Sequence, residues 1–186
     1  CAAIAGATSI TYVPAADQVN KFILVQVKAS NSANSDAPAS SFSAATTKVL
    51  AAPTLTTPPT LAYASVATTG QPIVGSLITA RTGTWAGSPA ASKTVQWYVC
   101  DAPVNAGSLV IPPGCDALAG ATAQSVTALL AWQDKYLTFA EIANNSVGSV
   151  FAFAAVNLTV QTKPLFSAFP TISGTANTAQ PLTANP

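Results

Sequence analysis

Histidine and methionine are missing from this chain, arginine occurs once, and only 7% of its 186 residues are charged. Without histidine, the commonest general base and the Ser–His relay of hydrolases are both excluded. Three cysteines with no histidine and no C-x-x-C spacing leave a structural zinc site without a ligand set. A net charge of +1 excludes the basic footprint of a nucleic-acid-binding domain. No apolar run approaches the roughly 20 residues that a membrane-spanning helix needs, so the 49% hydrophobic content is not that of a transmembrane segment. No basic start and apolar middle mark a signal peptide; if the protein is exported, that signal lies outside this segment. Ordinary soluble domains carry roughly 25% charged residues. A surface this poor in charge opposes self-association weakly, a liability in the cytosol and an advantage in an extracellular polymer.

What the chain does have is repetition. Cys1 to Thr8 reads C-AAIAGAT, and Cys115 to Thr122 reads C-DALAGAT, an offset of 114 residues. At the same offset, the run from Asp17 to Ile23 meets the run from Ala131 to Leu137, and Ala29-Ser30-Asn31 meets Ala143-Asn144-Asn145. Thr69-Gly70-Gln71-Pro72-Ile73 returns as Thr178-Ala179-Gln180-Pro181-Leu182, an offset of 109. A period of about 110 residues marks a repeat array. The expected division is the C-terminal half of one repeat at 1–52, a complete repeat at 53–163, and the N-terminal strand or strands of a third at 164–186.

Short strands separated by turns fill the period. Phe22 to Ala29 alternates, with Ile23, Val25, Val27 and Ala29 on one face, and Tyr136 to Ala143 is its counterpart. Lys93 to Cys100 is rich in β-branched and aromatic residues, and Ile73 to Ala80 and Val150 to Val160 read as further strands. Turn signals fall at Gly70-Gln71-Pro72, Thr82-Gly83, Ala86 to Pro89, Pro112-Pro113-Gly114 and Asn145 to Gly148. Pro53 to Pro59 reads as a linker between copies, with Lys163 to Pro170 in the equivalent place. Fourteen prolines argue against long helices. The one helical candidate, Ser125 to Asp134, carries Val126 and Thr127 and is better read as a strand leading into a turn. Strands of this length and spacing predict an all-β sandwich.

The ordered run Gly83-Thr84-Trp85-Ala86-Gly87, Val95-Gln96-Trp97-Tyr98-Val99-Cys100, Cys115 and Leu118-Ala119-Gly120-Ala121-Thr122 resembles bacterial immunoglobulin-like repeats. These occur in tandem in large secreted and cell-surface proteins, notably of actinobacteria. The resemblance covers residues 54–163 and the matching parts of both flanks. It departs from the pattern in a longer loop between Cys100 and Cys115, in Asp134 beside the lysine, and in a strand tyrosine kept as Tyr12 but replaced by Val126. It implies tandem immunoglobulin-like β-sandwiches, one complete domain flanked by partial ones. Trp97 then becomes the core tryptophan, Tyr12 a structural residue, and Trp85 a cover for the end of the sandwich.

The same resemblance implies a Cys100–Cys115 disulfide, closing a loop worth about 3 kcal/mol of chain entropy and placing the chain in an oxidising, extracytoplasmic compartment. Cys1 falls on the register of Cys115, so its partner belongs to the preceding half-repeat; a lipid-modified N-terminus and a free thiol are the other readings. Among the carboxylates, Asp17 suits an Asx turn, and Asp36 and Asp134 suggest no site. Asp101 and Asp116 follow the two cysteines and would approach each other across the bridge, either as solvated turn residues or as a weak calcium site. Glu141 stands where the first copy has Val27, on the expected core-facing side. There a carboxylate must be paired or protonated. Surface-protein domains of this class offer one use for it, promotion of a Lys–Asn isopeptide bond, with Lys93 or Lys135 and Asn145 or Asn157 as candidates; a bulge that turns Glu141 to solvent is the alternative. Trp132 and Tyr136 near a turn suggest a sugar-stacking platform, and Asn144-Asn145-Ser146 and Asn157-Leu158-Thr159 match the N-glycosylation sequon.

Neither an enzyme nor a cofactor is expected. The expected function is structural: an extracellular filament, stalk or surface layer built by self-association of neighbouring repeats, by strand addition between them. A cell-surface adhesin for a host protein or glycan and a spacer beside a secreted enzyme are the alternatives.

Overall fold

The computed structural model describes residues 1–32, 38–64, 66–67, 70–164 and 168–185. All regular structure longer than a 3-10 turn is strand: β1 (Gln26–Ala29), β2 (Ala39–Phe42), β3 (Ala51–Thr57), β4 (Thr60–Tyr63), β5 (Leu77–Arg81), β6 (Thr84–Ser88), β7 (Ser92–Cys100), β8 (Cys115–Ala117), β9 (Ser125–Thr127), β10 (Tyr136–Asn144), β11 (Ser149–Phe153), β12 (Thr171–Ser173) and β13 (Thr183–Asn185). The stretch from Ser125 to Asp134 is β9 followed by a 3-10 turn over Leu130–Trp132, so the helical alternative is excluded.

β7 and β10 form the spine. They pair antiparallel at nine positions, from Tyr136↔Cys100 to Asn144↔Ser92, within a sheet ordered β11-β10-β7-β8. Because partners across a ladder share a face, Val95 and Trp97 line up with Leu137, Phe139 and Glu141 on the inner side. A second sheet, β4-β5-β9, closes over that side and contributes Ile78 and Ala80 to one core. Trp97 lies at its centre, 5.3 Å from the Phe139 ring, and its indole N–H is satisfied by the Ala123 carbonyl at 2.8 Å.

The outer side of β7 and β10 is buried as well, which the alternation did not predict. The loop opened by Cys100 crosses that face and ties itself to the far edge. Val104 and Val156 exchange both backbone hydrogen bonds, Gly107 donates to Phe153, and Phe153 donates to Ser108. The chain then returns to β8, where Cys115 bonds Cys100. This strap covers a second cluster of Cys100, Val104, Ala140, Phe153 and Val156, with Tyr98 packed edge-on against Phe153 at 4.9 Å.

Several expected boundaries move. Pro53 to Pro59 is no linker: β3 occupies most of it and pairs with β6, with register shifts on either side of the Thr54/Leu55 pairs. An edge strand tolerates prolines because their missing N–H need not face a neighbour. Ala86 to Ser88, expected as part of a turn, belongs to β6. Ile73 to Ser76 turns instead of running into β5, with Gly75 at φ 86. Beyond Phe153 the chain leaves the ladder, and from Val156 to Gln161 it meets other segments at single bridges: Val156 with Val104, Val160 with Gln133 and Gln161 with Ile73. β1 begins four residues late because the N–H groups of Ile23 and Val25 bond the hydroxyls of Thr46 and Ser43. Thr69 of the second echo, Asp36, and part of the Lys163 to Pro170 stretch lie outside the described residues.

The backbone itself recurs, at an offset of 114 through β1 and of 111 in the segment that pairs with it. Gly6 and Gly120 take φ 73 and 72, and Asn20 and Asp134 take φ 68 and 60. The 3-10 turn Ala16–Gln18 matches Leu130–Trp132. Asn20 donates to Val49, which donates back to Lys21; Asp134 donates to Val160, which donates back to Lys135. The pairing Gln26↔Phe42 reproduces Ala140↔Phe153. Burial does not recur: Val25 is 59% exposed where Phe139 is fully buried. The residues of β12 and β13 are exposed too.

Candidate functional site: a buried carboxylate and the clamp on β3

Glu141 points into the inner core and is fully buried, so the solvent-facing alternative fails. Its Oε2 accepts the Gly83 N–H at 2.7 Å and the Trp85 indole N–H at 3.2 Å. Lys93 Nζ stands 3.6 Å from Oε1, too far for a hydrogen bond, and donates to the Gly83 carbonyl at 2.7 Å. Gly83 therefore serves both ends of the ion pair. A Cβ at that position would lie 2.3 Å from the Thr57 carbonyl oxygen, so only glycine lets β3 and the carboxylate approach from opposite sides. Oε1 is the one buried side-chain polar atom among the described residues with no hydrogen-bond partner. Trp85 is half-buried in β6 over this carboxylate, and its expected place covering the end of the sandwich becomes a specific polar contact.

The second feature is a clamp on the start of β3. The Asn145 side-chain amide donates to the Ala51 carbonyl at 2.8 Å and to the Pro89 carbonyl at 2.9 Å. Its Oδ1 accepts the N–H groups of Val147 and Gly148, an Asx turn that fixes the β10–β11 connection. One asparagine thus ties three segments, with both of its amide hydrogens used. Ser88, beside a cis Pro89, reaches back to the first hairpin and donates to Asn20 Oδ1 at 2.6 Å. The turn residue Asn20 therefore contacts the end of β6 directly.

The isopeptide candidates are not brought together. Lys93 is engaged by Glu141 and Gly83, Lys135 pairs with Asp101, and Asn145 holds Ala51 and Pro89. Among the described residues, no hydrogen bond joins either lysine to Asn145 or Asn157. Asp101 pairs with Lys135. The hydrogen bond and charge of Asp101, with a smaller attraction from Asp116, raise the Lys135 ammonium above its ordinary value. No group of three or more His, Cys, Asp or Glu placed to hold a metal ion occurs among the described residues.

Cys100 and Cys115 are bonded, with Cα atoms 4.0 Å apart, and Cys1 is free and exposed. Trp97 is a core residue. Tyr12 is not: it is 39% exposed and its hydroxyl bonds the Gln18 side chain at 2.8 Å. Val126, its repeat equivalent, packs against the inner core through β5, and no described strand lies over Tyr12 in that way. Trp132 packs at the margin of the inner core and Tyr136 against the outer cluster, so the two do not form a sugar platform. Sequence reasoning missed Gly83 and the Asx geometry of Asn145. The turn signal at Asn145 to Gly148 did mark the place of the second.

No helix among the described residues is long and apolar enough to cross a membrane. No known family, curated protein or solved structure matches the chain.

Proposed function

We propose that this chain is a structural segment of an extracellular array of tandem immunoglobulin-like repeats. Residues 53–163 are one whole module, 1–52 the back of another and 164–186 the opening of a third. The observation that carries this reading is the recurrence of one backbone motif, with Asn20 and Asp134, 114 residues apart, in the same left-handed conformation. A tandem array stacks such units through nearest-neighbour contacts, and the Asn20–Ser88 contact and the Asn145 clamp are of that kind. The disulfide suits an exported protein. A 7% charge content leaves little repulsion between surfaces packed side by side.

Sedimentation velocity over a concentration series tests the reading. Species that grow with concentration support an assembling array. A single species at every concentration moves the function to the adhesin alternative, which one observation favours: Leu109, Val110 and Ile111 are exposed side by side on the disulfide-closed strap.

A further inference from the structure

β7 keeps an open edge inside the complete unit. Trp97 directs its N–H and C=O away from β10, toward the Ala121 carbonyl at 3.0 Å and the Leu118 N–H at 2.9 Å. Backbone groups alternate sides along an antiparallel ladder, so those of Lys93 and Val95 point the same way. β8 pairs only with Tyr98 to Cys100, and no hydrogen bond among the described residues engages the N–H or C=O of Lys93 or Val95 on that side. A groove of about 510 Å³ runs beside them, lined also by Thr82, Thr122 and Gln124. Every segment that borders it belongs to the complete unit.

Exposed edges are ordinarily guarded by lysine, proline, a bulge or a covering loop. β3 has its prolines and register shifts. β7 has neither, and its ladder with β10 is unbroken over nine positions. Its one lysine does not guard it, because the Lys93 ammonium is drawn inward onto the Gly83 carbonyl at 2.7 Å and toward Glu141. The side chain left outside is Thr94, exposed and β-branched.

We propose that this edge pairs with the same edge of a second copy of the chain, antiparallel about a two-fold axis at Thr94. This deepens the array reading and rests on it. The edge's own pattern specifies the occupant. Thr94 meets Thr94 of the second copy as a non-hydrogen-bonded pair, and Lys93 exchanges both backbone hydrogen bonds with Val95 of the second copy. The two-fold repeats that exchange, so every open group is used and no like charges stand directly opposite. The ends fit as well: Ser92, where β7 begins, falls opposite Gln96, the last residue before Ala121 closes the edge at Trp97. One short ladder is weak, but an array presents it in every module, and linked sites reinforce one another.

Thr94→Cys in a Cys1→Ser chain is the probe. Opposed Cα atoms of a non-hydrogen-bonded pair lie about 4.5 Å apart, within the limit of about 7 Å for a disulfide. Oxidised glutathione takes up the two electrons and two protons that the two thiols lose. Non-reducing intact mass should show about tenfold more covalent dimer than Ser92→Cys, whose two copies would lie about 14 Å apart. In the unaltered chain, hydrogen exchange at the Lys93 and Val95 amides should slow as concentration rises. Thr94→Lys, which sets like charges opposite each other, should remove that slowing. Equal dimer from both cysteine variants, or amides indifferent to concentration, would each overturn the proposal. Slowed amides without a preference for Thr94→Cys would mean that another segment of the second copy fills the edge, and would overturn it too. Sedimentation that grows with concentration despite any of these failures leaves the array reading standing on a different contact, so the two are judged separately.

Discussion

Lys93 and Glu141 face each other across Gly83: the ammonium lies 3.6 Å from one carboxylate oxygen, while the glycine N–H holds the other at 2.7 Å. Taking one partner from a buried pair strands the other, at a cost of about 3–5 kcal/mol; replacing both with apolar residues is often neutral. Lys93 retains a third of its exposure, so solvent softens its side of that loss. Lys93→Met should therefore destabilise the complete unit, and Lys93→Met with Glu141→Val should recover most of the loss. Urea unfolding of the two single variants and the double variant gives the coupling.

Gly83→Ala is expected to cost about 1–3 kcal/mol, because the added methyl must push β3 away from the carboxylate. The same unfolding series measures it. The Trp85 fluorescence should move with it if the indole loses its hold on Glu141.

Reduction of Cys100–Cys115 should release the strap before it unfolds the sandwich. The inner core does not depend on that loop, whereas the Tyr98–Phe153 cluster lies under it. The expected loss is about 3 kcal/mol. Hydrogen exchange should rise first at Val104, Gly107 and Val156, whose amides form the strap's hydrogen bonds.

Alkaline pH should weaken the unit through Tyr63. Burial raises its hydroxyl above the ordinary 10.0, so the folded state holds this proton more tightly than the unfolded chain does. Its contribution is complete below that ordinary value and is lost as pH rises through the folded one. Tyr63→Phe should flatten the decline in stability above about pH 10, followed by chemical denaturation at several pH values.

Much of this was legible in the residues. Alternation placed Glu141 on the inner face, because Leu137, Phe139 and Glu141 are two apart and a strand repeats every two residues. Trp97 as a core residue and the Cys100–Cys115 bond were implied by the resemblance to immunoglobulin-like repeats. The rest depended on contacts far apart in sequence. Proline in β3 reads locally as a breaker, and only pairing with β6 shows it to be an edge strand. The strap carries turn residues throughout, and its bonds to Val156 and Phe153 have no local signature. Tyr12 has the residue pattern of a core position, but burial is decided by what packs over it, and nothing among the described residues does.

Negative-stain electron microscopy over a concentration series, with and without reductant, tests the structural role most directly. A repeat array built for assembly gives ordered filaments or sheets that become more abundant with concentration, and their loss under reductant would tie the strap to assembly. Isolated particles at every concentration would contradict it.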